Sequence, residues 1–243
     1  MILIDVYIYC PDVRTLADST ASKRANTMFE AIDEAGKRKC DIFLGPEFFF
    51  THHSDQLGKQ DPAECIKYSA LEAQSVTKQI AKKSEAYPEM FIVMGTCFET
   101  PVHSSTSVVN NAYVYKNGEL VTFCTKHDIQ ADFAYAQACE VEQRPGKATG
   151  VGFECKGLRC YLQICTDTTN PPPDENYDLS IVPAYQPGGA TIAHQNKFPV
   201  RLLSDGQGKY YVYISATKEK WYGDGPYFRV LLKFRAVYNS FEL

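Results

Sequence analysis

The chain has 243 residues, of which 44% are hydrophobic and 22% charged, with a formal net charge of -4. That length supports a substantial core, and that balance is ordinary for a globular protein. It excludes two classes of partner: no basic run marks a nucleic-acid footprint, and no apolar run reaches the roughly eighteen residues that a membrane span needs. Nine cysteines are scattered along the sequence. Their odd number, with no secretory leader ahead of them, predicts free thiols in a reducing, cytoplasmic setting. Most should behave as small buried hydrophobes.

In chain order, "MILIDVYIYCPD" carries Asp5 within its apolar stretch and lacks a basic leader region. It reads as a first strand over residues 2–9 rather than a signal peptide. Residues 21–38 place Ala25, Met28, Phe29, Ile32 and Ala35 at helical spacing. "DIFLGPEFFF" (41–50) is an apolar strand over 41–44 that breaks at Gly45-Pro46 and sets one acid, Glu47, before three phenylalanines. Residues 62–84 are helix-prone, with a thin apolar stripe at Ile66, Leu71, Val76 and Ile80. "MFIVMGTCFE" (90–99) is a buried strand. "NNAYVYKNGELVTFCTKH" (110–127) is a hairpin around Lys116-Asn117-Gly118, because Asn-Gly supplies the positive φ of a tight turn. Strands follow over 150–155, 158–165, 178–185 and 209–216, with a short helix expected between the last two. "FRVLLKF" (228–234) reads as the final strand. Strands of one character flank the proline run Pro171-Pro172-Pro173, so the expectation is a single domain over 1–243. Early βα alternation and later hairpins favour two sheets packed together with helices outside.

Three reactive residues stand where apolar strands stop: Glu47, Lys126 and Cys165. Strand ends are where a rigid scaffold presents chemistry. Alone, each has a plain structural reading: an acid at a helix start, a solvated hairpin end, a buried thiol. Together they make chemical sense. A thiol is a good nucleophile only as thiolate. A carboxylate in an apolar pocket has a raised pKa, so it can take the thiol proton and return it to a leaving amine. An ammonium beside them can hold a developing oxyanion.

"DIFLGPEFF", "VVNNAYVYKNGELVTFCTKHD" and "GLRCYLQICTD" resemble, in order, the three signature segments of the nitrilase superfamily of carbon–nitrogen hydrolases. "FIVMGTCFE" is similar to the strand between the first two, and the resemblance covers most of residues 1–185. It implies an α/β fold, an α-β-β-α sandwich of two mainly β sheets packed face to face with helices outside. It also implies a Glu-Lys-Cys triad: Glu47 as general base and acid, Lys126 as oxyanion stabiliser and Cys165 as nucleophile. The backbone N–H of Thr166 would complete the oxyanion hole. A second glutamate is implied ahead of Pro145-Gly146, at Glu140 or, as its rival, Glu142. The implied activity is cysteine-dependent hydrolysis of a small amide or carbamoyl compound through a thioester, with no metal or organic cofactor, in a homodimer or larger homo-oligomer.

The sequence departs from the family after the nucleophile. Thr166 stands where relatives often have an aromatic residue, and "TDTTNPPPDENYD" cannot form much helix because prolines remove donors and fix φ. In "FPVRLLSDGQGKYYVYIS", Gly206 and Gly208 are expected to end a later helix early. With Leu243 last, the extended C-terminal arm of many members is not expected. These departures keep two alternatives open: a catalytically inactive binding or assembly module, and acyl transfer to an amine. Cys155, Cys160 and Cys165 are not read as metal ligands, because 160 and 165 on one strand would face opposite ways. His52-His53 read as a surface loop. Tyr185, Trp221 and Tyr222 are candidates to shape a pocket, and Asp167 to hold the loop after Cys165 through backbone hydrogen bonds.

Overall fold

The computed structural model describes residues 1–16, 21–50, 62–99, 107–129, 142–169, 176–185, 198–214, 219–234 and 241–242. Two sheets form a face-to-face sandwich. The first sheet holds β1 (Ile2–Tyr9), β2 (Ile42–Leu44), β3 (Phe91–Glu99), β4 (Ser107–Lys116), β5 (Glu119–Thr125), β13 (Tyr227–Phe234) and β14 (Phe241–Glu242). Their order is β14-β13-β1-β2-β3-β4-β5, and the short β6 (Glu142–Gln143) adds to β4. The second sheet holds β7 (Val151–Cys155), β8 (Leu158–Leu162), β9 (Leu179–Ala184), β10 (Val200–Asp205), β11 (Lys209–Ile214) and β12 (Glu219–Asp224), in the order β12-β11-β10-β9-β8-β7.

Side-chain alternation builds the layers. On β1, Ile4, Val6 and Ile8 enter the inter-sheet core with Leu44, Val93, Leu162, Ile181 and Leu202. Tyr7 and Tyr9 point the other way, to join Phe43 under the helices. There α1 (Ala21–Lys37) and α2 (Pro62–Ser84) cover the first sheet. Their stripes, Ala25, Met28, Ile32 and Ala35 on one and Val76 and Ile80 on the other, form a second core. Among the described residues no helix lies against the outer face of the second sheet.

The hairpin forms as expected, with Asn117 and Gly118 both at positive φ between β4 and β5. Three expectations need correction. Residues 200–205, expected as helix, form strand β10, parallel to β9 and buried throughout. "VRLLSD" is the short, wholly buried run that periodicity cannot tell from a helix. Gly206 and Gly208 therefore turn β10 into β11 rather than ending a helix. Residues 228–234 are not the last strand, since β13 pairs onward with β14. Strand β8 stops at Leu162, so Cys165 lies beyond it, and Cys160 and Cys165 share the inter-sheet core instead of facing opposite ways.

A bulge in β3 prepares the site. The β3–β4 register shifts between Val93 and Thr96, and Gly95 sits there at φ +85°. A Cβ on Gly95 would lie 2.1 Å from the Pro46 carbonyl oxygen. Only glycine allows both the left-handed backbone and that approach. Gly95→Ala should therefore destabilise the fold by about 2 kcal/mol or more. Urea unfolding measures this, and an unchanged midpoint would show that the bulge tolerates a side chain.

Candidate functional site

Glu47 lies in the turn after β2, fixed by backbone on both sides. Gly45 N–H donates to Val93 O at 2.8 Å, Thr96 N–H to Pro46 O at 3.3 Å, and Glu47 N–H to Ala184 O at 3.3 Å. Phe48 N–H donates to Thr96 Oγ1 at 3.0 Å, and Phe48 itself takes a φ of 58°. Of the three phenylalanines, Phe49 and Phe50 turn away into the helix-side core. Only Phe48 reaches the site, stacked on Phe98 with ring centroids 5.6 Å apart and set edge-on to Tyr185 at 5.8 Å. Phe48 thus joins Phe98 and Val108 in a small apolar cluster separate from the other two phenylalanines.

Lys126 follows β5. Its N–H donates to Asn110 O at 2.8 Å, and its own carbonyl accepts from Gly146 N–H at 2.8 Å. The side chain runs inward, with Nζ 2.7 Å from Glu47 Oε1 and 5.6 Å from the centroid of the Phe48 ring. Glu47 and Lys126 are 0% and 1% exposed. A carboxylate and an ammonium so completely out of water are tolerable only as a hydrogen-bonded pair. Asn110 strengthens the pair, giving Nδ2–H to Glu47 Oε1 at 3.2 Å while its carbonyl holds the Lys126 backbone.

Sequence reasoning passed over Asn110. The signal was the doubled asparagine at the start of the hairpin. Strand alternation sends Asn110 to the site and Asn111 to the opposite face, where it bonds Glu99 at 2.9 Å and accepts from Thr125 Oγ1 at 2.7 Å.

Cys165 opens a 3-10 turn, Cys165–Thr169, beyond β8. Its φ is +46°, uncommon for a residue with a side chain. Thr168 Oγ1–H caps its carbonyl at 2.8 Å, and Asp167 N–H bonds Ile164 O at 2.9 Å. The thiol lies close enough to Glu47 and Lys126 for both charges to act on it. Burial, then the Glu47 charge, pushes the thiol well above its usual range, while Lys126 and the Tyr185 amide pull it down. The resting sulfur is therefore a neutral thiol close to a carboxylate and an ammonium.

The structure thus brings Glu47, Lys126 and Cys165 into one buried cluster. Thr166 follows the sulfur, its hydroxyl bonded to Asp128 O at 3.1 Å. Glu140 and His52-His53 lie outside the described residues, and Glu142 is described only as backbone of β6 beside Ser107. Tyr185 reaches the cluster. Trp221 and Tyr222 do not: both are on the edge strand β12, with Trp221 against the inter-sheet core and Tyr222 exposed, stacked on Tyr211. Cys10, Cys40, Cys97, Cys124, Cys155, Cys160 and Cys165 are free and buried. Among the described residues no group of three or more His, Cys, Asp or Glu could hold a metal ion. No described helix is long and apolar enough to cross a membrane.

No protein-family model matches the sequence, and no curated protein does. Solved structures do match. An amidase from Nesterenkonia sp. is 14% identical, with 94% of this chain and 89% of that one covered at a TM-score of 0.65. A CN-hydrolase superfamily protein from Xanthomonas campestris with an arsenic adduct in its active site is 13% identical, with 95% and 91% covered at 0.67. The glutamine-dependent NAD+ synthetase of Acinetobacter baumannii is 13% identical at 0.68, matching 97% of this chain but 46% of that longer one. One variant of the Nesterenkonia amidase carries acrylamide added to its active site cysteine.

Removing one partner of the buried pair should cost more than removing both. Lys126→Met strands the Glu47 carboxylate and should destabilise the fold by about 3–5 kcal/mol. The double variant Glu47→Gln/Lys126→Met should lose less than the sum of the single variants. Urea unfolding of the four proteins decides, and strict additivity would deny the coupling.

Proposed function

Since the chain has the fold of the nitrilase superfamily, we propose that it is a cysteine-dependent carbon–nitrogen hydrolase acting on a small amide or carbamoyl compound. The observation that carries this reading is the buried Cys165 thiol under the charges of Glu47 and Lys126, which themselves pair at 2.7 Å. Glu47 takes the thiol proton as sulfur attacks the carbonyl carbon. Lys126 Nζ and the Thr166 N–H receive the oxyanion, where charge appears only in the transition state. Collapse breaks the C–N bond, and Glu47 gives its proton to the departing amine. Water then attacks the thioester, Glu47 accepts its proton, and the C–S bond breaks to release the acid. The proton returns to sulfur, restoring the neutral thiol. Amide substrates are favoured over nitriles by the match to amidase structures, which is an argument from analogy.

Two measurements test this. Iodoacetamide, itself an amide, should alkylate Cys165 ahead of the other cysteines, and Glu47→Gln should slow that labelling at least tenfold. Cys40 is the internal comparison, since its thiol donates to a carboxylate, Asp5 Oδ1 at 3.5 Å, that is held by Arg229. A panel of small amides scored by ammonia release should show turnover that Cys165→Ala abolishes. Indiscriminate labelling with no turnover on any amide would favour a non-catalytic protein.

A further inference from the structure

Lys126 and Cys165 come from different sheets. Lys126 hangs from β5 in the first, and Cys165 from β8 in the second. Between the sheets lies apolar packing, which is non-directional. It sets sheet spacing but not the placement of strand ends to the roughly 0.5 Å that a reacting constellation requires.

A directional link between the two segments centres on Asp167. Asp167, in the Cys165 turn, is 0% exposed. Its Oδ1 and Oδ2 accept the His127 N–H at 3.1 and 3.0 Å, and Oδ1 also accepts the Asp128 N–H at 2.6 Å. These are the two amides directly after Lys126. The link is braced from both sides. Thr166 Oγ1 bonds Asp128 O, Gln163 Nε2 bonds Asp167 O at 3.1 Å, and His127 Nδ1 lies 2.8 Å from Gly146 O. A carboxylate suits this position because it offers only acceptors. An asparagine would turn an NH2 toward converging N–H donors.

We propose that Asp167 is a positioning residue that latches the Lys126 segment to the Cys165 turn, keeping ammonium and thiol in register only while its carboxylate is ionised. The proposal rests on the hydrolase reading for its purpose, but the latch itself can be tested without turnover. The ionisable groups facing Asp167 are Lys126, His127 and Asp128 from the segment after β5, Cys124 on β5, Tyr161 on β8 and Cys165 in its own turn. Burial pushes the Asp167 pKa up to about 6, against the pull of the Asp128 and His127 amides and Lys126. As pH falls through that value the carboxyl gains a proton, loses acceptor capacity and slackens the latch.

The experiment follows Cys165 alkylation by iodoacetamide from pH 5 to 8 in wild type and in Asp167→Asn, with thermal unfolding to confirm that the variant folds. Asp167→Asn is expected to label at least tenfold more slowly at pH 7.5. Its rate should then follow thiolate fraction alone, about one decade per pH unit. Wild type should fall more steeply below pH 6. A variant that labels at the wild-type rate with the wild-type profile overturns the proposal. Should Asp167→Asn fail to fold, the decision passes to the amide proton shifts of His127 and Asp128 in Cys165→Ala. They should titrate together near pH 6, and shifts that stay flat from pH 5 to 7.5 overturn it. Failure of the hydrolase reading looks different: wild type releases no ammonia from any amide while labelling and amide titration behave as expected.

Discussion

The Glu47–Lys126 ion pair is the constraint on which the rest of the site depends. Two opposite charges lie 2.7 Å apart with almost no solvent contact. Desolvating such ions costs several kcal/mol each, and Coulomb attraction offsets this only with good geometry and further hydrogen bonds. The surrounding structure supplies both. Asn110 donates to the carboxylate and holds the lysine backbone, and the Phe48 ring faces the ammonium. Each partner is anchored by main chain at a strand end, so neither can swing out to water. A burial that adds little stability is the expected mark of a place where charge is kept for chemistry.

Two of the five left-handed non-glycine residues among the described residues fall at the same place. Phe48 and Cys165 both adopt left-handed φ values, and each directly follows or bears a reactive group. A left-handed non-glycine residue persists only where neighbouring bonds over-determine it. For Phe48 these are Thr96 Oγ1 and the Gly95 bulge, and for Cys165 they are the Thr168 cap and the Asp167 turn. The two-sheet core beneath, continuous from β1 to β10, is what holds those bonds in place.

Much of this was legible in the sequence, for reasons specific to each segment. Asn117-Gly118 declared the hairpin because few residues accept positive φ. The α1 stripe was readable because a helix buries one face. Glu47, Lys126 and Cys165 were visible as reactive types at strand ends, in an order shared with a known family. Strand β10 was misread because "VRLLSD" has no alternation: all six residues are buried, so neither period appears. The destination of the phenylalanine run was hidden because one positive φ at Phe48 redirects the chain and divides three like residues between two cores. Asn110 was hidden because its value lies in bonding two partners distant in sequence, which no local pattern records.

The protonated state of Cys165 has a consequence for durability. Peroxide and disulfide oxidants attack thiolates, and the ladder from sulfenic acid upward begins only from the anion. A sulfur held as thiol by burial and by the Glu47 charge, at 1% exposure, offers such oxidants little anion at rest. The same holds for the buried Cys10, Cys40, Cys124 and Cys155, each with its pKa raised to about 12. The thiols that burial holds protonated are thus also the ones such oxidants meet least readily.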